Sequence, residues 1–355
     1  MVIYWLMLLL PAGLSLFKLR ATRETQLVAW GVTWLALTLL IGYRYKVGGD
    51  WGNYLFHLDV MHRLTLWEAV QRFDPAHGAF NWISDYLGWG IYGVNLAYGA
   101  IFSLGLIAFC RRQPRPLLAL AVAMPYVVLV VAMGYSRQGV AVGLSFFALL
   151  ALGERNTVKF VLFVALAAAF HRTAVVLIPI AILASTQRRV WTAAWVGATG
   201  VLMYFLYLQD STDTLVESYL EAEYASQGAA IRVAMNAVPA ALFLLYRERF
   251  RLDRSEQALW TWLAVIALAF VPALIVSPSS TAVDRMALYF TPVQVFVFSR
   301  IPDALWTGRR RPAARALVAG YYGLVLFVWL NFAAHAQYWL PYQFYPLVSS
   351  GPEGW

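Results

Sequence analysis

Cationic side chains and one histidine stand at the ends of apolar runs, where chemistry at a membrane surface would need them. They are Arg44, Lys46, Arg137, His171, Arg172 and Arg285, and the acidic Asp284 directly precedes the last of them. Arginine presents a planar fork of donors that suits phosphate oxygens, and lysine acts as a point charge. Several such cations near lipid headgroups would hold a diphosphate and stabilise it as a leaving group. For each arginine taken alone, the alternative is that its side chain extends from a helix end to the lipid headgroups.

His171 is the candidate general base. It ends an apolar stretch and is followed directly by Arg172. Desolvation and a neighbouring positive charge both oppose protonation, so we expect a neutral imidazole. Such a ring can accept a proton from an attacking hydroxyl. The alternative is a histidine at a helix end that is hydrogen-bonded to a carbonyl.

The stretch 44–54 combines two cations with three glycines, a carboxylate and aromatic rings. Gly48 and Gly49 either let backbone N–H groups approach an anion or form a tight turn. Asp50 competes with His171 as the base, and its alternative is an ion pair with Arg44 or Lys46. The stretch lacks the spacing of a nucleotide-binding loop.

Composition places these residues in a membrane protein. Of 355 residues, 61% are hydrophobic and 13% are charged, about half the charge of a soluble domain. Apolar runs recur along the chain, so we predict an all-α polytopic bundle of about 12 spans. The predicted spans are 2–17, 26–43, 84–109, 116–134, 138–153, 158–170, 173–186, 190–208, 232–246, 257–276, 286–300 and 316–334. The pair 158–170 and 173–186 is short for a crossing, which favours broken or re-entrant helices.

The loops differ in charge. Most of the 27 Lys and Arg residues fall in alternate loops, and this bias predicts that both termini lie in the periplasm, with the chain in a bacterial inner membrane. The run Arg309-Arg310-Arg311 is typical of a cytoplasmic stop signal, so we predict no nucleic-acid binding. Cys110 is the single cysteine and excludes an internal disulfide.

Two long loops are predicted on the outer side of one transmembrane domain, 1–355. Loop 44–83 contains an amphipathic segment, Asn53 to Phe73, which predicts a helix on the membrane surface. Loop 209–231 is acidic and is interpreted as a surface loop or lid. No zinc-type spacing of histidines or cysteines occurs, and we predict no metal or cofactor.

An ordered set of motifs resembles the EpsG family of bacterial exopolysaccharide polymerases, related in role to Wzy polymerases. The motifs are Arg44-x-x-x-Gly48-x-Asp50-x-x-x-Tyr54, Ser136-Arg137-Gln138-x-x-Ala141, His171-Arg172-Thr173-Ala174, Asp284-Arg285-x-x-x-Tyr289-Phe290 and Tyr338-Trp339-Leu340-Pro341-Tyr342. The resemblance runs from about residue 40 to 345 in the same order. Arg172 is a departure, because the family often has a small residue or proline after the histidine.

The resemblance implies a GT-C-like bundle that polymerises oligosaccharide units carried on undecaprenyl diphosphate at the outer face of the inner membrane. It implies contact with the lipid bilayer and with other polysaccharide export proteins. The diphosphate-binding residues would be Arg44, Lys46, Arg137, Arg172 and Arg285. The sugar-stacking rings would be Tyr54, Trp51, Tyr289 and Trp339. His171 would be the catalytic base, with Asp50 as the competing choice.

Two alternatives to a polymerase stay open at this point. One is a ligase resembling O-antigen ligases, which passes the glycan to a different acceptor. The other is a flippase or transporter of the same lipid-linked oligosaccharide. A flippase should line a path across the bilayer with polar groups, whereas the unexplained polar residues here lie on one side, which favours an enzyme.

Overall fold

The computed structural model describes residues 1–17, 21–184, 189–203 and 228–348, which are mostly helical. The helices are α1 (Val2–Leu16), α2 (Arg23–Gly42), α3 (Trp51–Met61), α4 (Leu66–Arg72), α5 (Pro75–Tyr86), α6 (Gly90–Arg111), α7 (Pro116–Ala123), α8 (Ser136–Gly153), α9 (Thr157–Phe170), α10 (Ile178–Leu183), α11 (Arg189–Met203), α12 (Ala229–Tyr246), α13 (Arg254–Val276), α14 (Ser280–Ala287), α15 (Pro292–Leu305) and α16 (Arg310–Phe332). A π-helix, Met124–Ala132, continues α7, and 3₁₀-helices cover Arg172–Leu177 and Leu288–Phe290.

The described helices are those of a polytopic membrane protein. Six are long and apolar enough to cross a bilayer: Arg23–Gly42, Gly90–Arg111, Ser136–Gly153, Ala229–Phe250, Arg254–Val276 and Arg310–Phe332. Shorter apolar helices accompany them. Large apolar side chains stay exposed on the outward faces, such as Val28 at 67% and Leu317 at 70%. Such faces suit lipid rather than water, so the predicted fold class is confirmed.

Helix α7 and its π-helical continuation form the centre of the bundle. Every residue of the π-helix is buried, and Leu118 and Leu129 are fully enclosed. Helices α1, α6, α15 and α16 pack around this segment. It is hydrophobic on all sides, as expected for a helix with no lipid-facing or water-facing surface.

Glycines allow α6 and α8 to pack closely. A Cβ added at Gly143 would lie 2.5 Å from the Phe102 Cα atom, and one added at Gly105 would collide with the Gly143 carbonyl. Small residues permit such close approach between membrane helices, where van der Waals contact drives association. This crossing fixes the start of α8, which carries Arg137.

The predicted surface helix Asn53–Phe73 is divided in the structure. Helix α3 ends at Met61, and Thr65 starts α4 by bonding the backbone of Glu68, whose carboxylate bonds the Thr65 backbone in return. This capping box is a strong helix-start signal and overrides continuity of the apolar pattern. A third helix, α5, then completes the 44–83 segment.

Other helix boundaries in the structure also differ from the predicted ones. Span 84–109 begins at Gly90, because Gly88 and Gly90 have φ angles of +68° and +58°, which end α5 and separate it from α6. Span 286–300 begins at Pro292, after the 3₁₀ turn. The short pair 158–170 and 173–186 is broken as predicted, since a 3₁₀ segment precedes α10. Of the acidic loop 209–231, residues 209–227 lie outside the described residues.

The C-terminal segment after α16 is held across the loop that follows α2. Backbone bonds join Tyr45 N–H to the Gln343 carbonyl and Tyr345 N–H to the Tyr43 carbonyl. The Trp339 indole N–H donates to the Leu129 carbonyl at 2.8 Å. These bonds satisfy backbone polar groups of an irregular segment that has no helix of its own to supply partners.

The α6–α8 crossing predicts a stability effect. We expect Gly143→Leu to lower the free energy of unfolding by about 1–3 kcal/mol, because overpacking forces the two helices apart. Gly31→Leu is the matched control, since a Cβ at Gly31 has no neighbour within 4 Å. Thermal unfolding in detergent measures both variants. Equal midpoints for the two would contradict the crossing.

Candidate active site

A buried carboxylate, Asp74, joins two of the predicted cations. Its side chain is 5% exposed and accepts from Arg137 Nη1 at 3.1 Å and from Arg172 Nε at 2.9 Å. The two arginines contact different oxygens of the carboxylate. This arrangement draws together three chain segments that are far apart in sequence.

Each partner stands where a helix begins or ends. Asp74 precedes α5, with Pro75 as the first helical residue, but its side chain makes no capping bond. Arg137 is the second residue of α8, and Arg172 starts the 3₁₀-helix after α9. Because backbone direction changes at these points, the side chains project from the helix ends into one cluster.

His171 lies beside this cluster in the break between α9 and the 3₁₀-helix. It is 7% exposed, and its Nδ1 is 4.0 Å from the Asp74 Oδ2 atom. Burial holds the pKa of His171 well below 6.5, and Arg137, Arg285 and Arg172 lower it further. The ring is therefore neutral near pH 7 and has a nitrogen available to accept a proton.

Asp50 and Arg285 extend the cluster. Burial raises the pKa of Asp50, while Arg285 and Arg137 act in the opposite direction. Arg285 is also held through its backbone, since the Gln138 side chain donates to its carbonyl. The structure thus groups Arg137, Arg172 and Arg285 with two carboxylates and one neutral imidazole.

Arg44 lies inside the protein. It is 1% exposed, and its guanidinium donates to the carbonyls of Ile41 and Val47 and to the side chains of Asn95 and Ser136. The guanidinium that was predicted to bind phosphate therefore donates to acceptors of the protein itself. Arg44 joins α2, α6 and α8 instead. It supports the site indirectly, because Ser136 precedes Arg137.

Lys46 lies apart from the cluster. Its side chain is exposed, its φ angle is +51°, and its ammonium lies 5.2 Å from the centre of the Tyr45 ring. The structure gives it no contact with Asp74 or Asp50. Its role toward a diphosphate stays a prediction.

A second ion pair lies near the first. Arg232 of α12 binds Asp284 of α14 through two bonds of 2.7 and 2.6 Å. The pair holds the start of α12 against α14, which carries Arg285. Asp284 therefore serves to position the neighbouring arginine.

Three of the four rings predicted to stack on sugars are buried. Tyr54, Tyr289 and Trp339 are at most 5% exposed, and each side chain makes a hydrogen bond: Tyr54 accepts from the Arg137 N–H, Tyr289 pairs with the Thr173 hydroxyl, and Trp339 donates to Leu129. A ring packed on both faces offers no surface to a sugar. Trp51 is half-buried and lies against Tyr45 and Tyr92.

Two histidines that the sequence did not single out lie behind the cluster. His57 Nδ1 is 3.1 Å from His77 Nε2, and His77 Nδ1 is 2.7 Å from the Tyr98 hydroxyl. Burial lowers the pKa of His57 to about 4, with a further contribution from Arg137. Both rings are neutral, so they add no positive charge behind the arginines.

Sequence reasoning missed Asp74, although one signal pointed to it. Asp followed by Pro at the start of a helical pattern is a helix-start signal, which predicts Asp74 as a cap. Its partners are 63 and 98 residues away along the chain. A pairing over that distance leaves no trace in local spacing.

The fold and the cluster together define a polytopic membrane protein that concentrates arginines around a neutral histidine at the ends of its helices. The chain belongs to the EpsG family, whose model matches residues 27–344. This confirms the resemblance seen in the motifs and supports a polysaccharide polymerase role at the level of the family. No curated protein and no solved structure gave a significant match.

The position of Arg44 predicts a structural defect on substitution. We expect Arg44→Leu to reduce the yield of folded protein and its melting temperature strongly, because two carbonyls and two polar side chains lose their donors. Arg44→Lys should rescue little, since a lysine cannot match the fork. The matched control is Lys46→Ala, which should unfold like the wild type in detergent. A fully stable Arg44→Leu protein would refute this assignment.

Proposed function

We propose that this protein is an exopolysaccharide polymerase of the bacterial inner membrane. It transfers a growing glycan from undecaprenyl diphosphate to the non-reducing end of a lipid-linked oligosaccharide unit, on the periplasmic face. The observation that carries the proposal is the cluster of Arg137, Arg172 and Asp74 beside the neutral His171, in a chain that belongs to the EpsG family.

The arginines bind the diphosphate of the donor. Arg137 and Arg172 come from different elements and already hold two oxygens of one carboxylate, which is the geometry that phosphate oxygens require. Arg285 adds positive charge from α14. In a site with little water, such charges stabilise the diphosphate as it leaves.

The reaction is a displacement at the anomeric carbon of the donor glycan. The acceptor hydroxyl oxygen forms the new bond to that carbon, and the bond from the carbon to the phosphate oxygen breaks. Undecaprenyl diphosphate departs with the bonding electron pair. The hydroxyl proton passes to His171, which later releases it to water.

His171 is the better candidate base of the two that the sequence offered. Its low pKa keeps the lone pair available, and with Nδ1 toward Asp74 the other ring nitrogen, Nε2, accepts the proton. Burial raises the pKa of Asp50, but its carboxylate lies in the field of Arg285 and Arg137, and its negative charge acts on those two cations. Asp50 instead orients the arginines.

Replacing the arginines tests whether they stabilise the diphosphate leaving group. We expect Arg137→Ala and Arg285→Ala to reduce polymer formation by at least about 100-fold, because the leaving group loses its stabilisation. Lipid-linked single units should then accumulate on the periplasmic face. Arg112→Ala is the control, since this arginine pairs with Glu154 away from the cluster and is mostly exposed. Accumulation on the cytoplasmic face would instead support a flippase.

Loss of the base tests the proton transfer. We expect His171→Ala to lower kcat by about 100-fold or more while the affinity for lipid-linked donor changes little. Chain extension by purified protein, with donor binding measured separately, checks both quantities. A turnover near that of the wild type would exclude His171 as the base.

A further inference from the structure

Asp74 has an unusual position for a residue that precedes a helix. An aspartate there normally accepts from the first backbone N–H groups, as Thr65 does for α4. Asp74 makes no such bond to α5. Its carboxylate instead lies between Arg137 and Arg172, almost without access to solvent. Asp74 therefore contacts two distant cations in place of the usual capping bond.

The carboxylate takes the position that an anionic substrate would need. Carboxylate and phosphate oxygens bind the same arginine fork with the same geometry. Both arginines are partly exposed, with side chains at 29% and 23%, whereas Asp74 is beneath them at 5%. An anion arriving from outside meets the arginines first.

We propose that Asp74 occupies the anion site in the substrate-free state and is displaced toward His171 when a diphosphate binds. This inference rests on the proposed function and adds a switch to the same site. Asp74 is then a positioning residue that acts through His171. The displacement couples arrival of the donor to activation of the base.

The distance to His171 makes the displacement small. Asp74 Oδ2 lies 4.0 Å from His171 Nδ1. A shift of about 1 Å would bring the two atoms within hydrogen-bond distance. A carboxylate on Nδ1 fixes the tautomer, directs Nε2 toward the acceptor hydroxyl and stabilises the imidazolium that forms.

The electrostatic surroundings of His171 would also change so that protonation of the ring is favoured. The groups that act on it are Asp74, which precedes α5, His77 from α5, Arg137 from α8, Arg285 from α14 and the adjacent Arg172. The three arginines oppose protonation of the ring. A bound diphosphate offsets their charge, and the released carboxylate approaches the ring. Both changes raise the pKa of His171 and make it a stronger base.

A purely structural role for Asp74 makes the opposite prediction for binding. If the carboxylate only anchors the arginines, its loss disorders them and weakens their hold on an anion. If it occupies the anion site, its loss removes a competitor and tightens that hold. The sign of the affinity change separates the two.

The first experiment measures binding of inorganic diphosphate to purified protein by calorimetry. We expect Asp74→Asn to bind about tenfold tighter than the wild type, since one charge-assisted competitor is lost, and to lose at least about tenfold in kcat. Asp303→Asn is the matched control, because Asp303 also pairs with arginines, Arg115 and Arg311, in a separate cluster. It should leave diphosphate affinity unchanged. Weaker or equal binding by Asp74→Asn overturns the displacement.

The second experiment needs only wild-type protein, so it holds even if Asp74→Asn does not fold. The pH dependence of kcat/KM reports the free enzyme, and that of kcat reports the complex. We expect the acid limb of kcat to lie about one pH unit or more above that of kcat/KM. Coincident limbs would refute the switch.

The outcomes distinguish this inference from the proposed function. If the wild type extends chains but Asp74→Asn binds diphosphate no tighter, the displacement fails and the polymerase stands. If Asp74→Asn binds diphosphate tighter but the wild type forms no polymer from lipid-linked units, the polymerase fails and the displacement stands. If neither protein binds diphosphate and the wild type forms no polymer, both fail.

Discussion

The contact of one buried carboxylate with two arginines organises this end of the protein. A charge removed from water costs several kcal/mol unless partners satisfy it. Asp74 meets that requirement only if α5, the start of α8 and the break after α9 lie together. Burial raises the pKa of Asp74, and Arg137 and Arg172 partly offset this, so its ionised form depends on them. Geometry and charge at the site are therefore set by the same contact.

The remaining architecture holds those three segments in place. Close packing at Gly143 sets the position of α8, and Arg44 joins its first residue, Ser136, to α2 and α6. The C-terminal segment covers the loop that contains Arg44 through backbone bonds. Breaks in helices are tolerated at membrane depth only where protein surrounds them. The candidate site residues lie at such breaks because helix ends give their side chains directions that a continuous helix does not.

The sequence predicted the all-α membrane fold, because each crossing needs a run of apolar residues that is visible locally. Six of the described helices are long and apolar enough to cross, where about 12 spans were predicted. The sequence also placed Arg137, Arg172, His171 and Arg285 near one another. It could not predict that Arg44 turns inward, since its acceptors on Asn95 and Ser136 come from other helices. Asp74 escaped notice for the same reason. A single aspartate in a polar loop is ordinary until tertiary structure supplies two arginines.

The most direct test of the central claim is a structure of the protein with a polyprenyl diphosphate bound. We expect phosphate oxygens bonded to both Arg137 and Arg172, with the Asp74 carboxylate within about 3 Å of His171 Nδ1. A bound diphosphate located elsewhere, with Asp74 still bridging the two arginines, would contradict it.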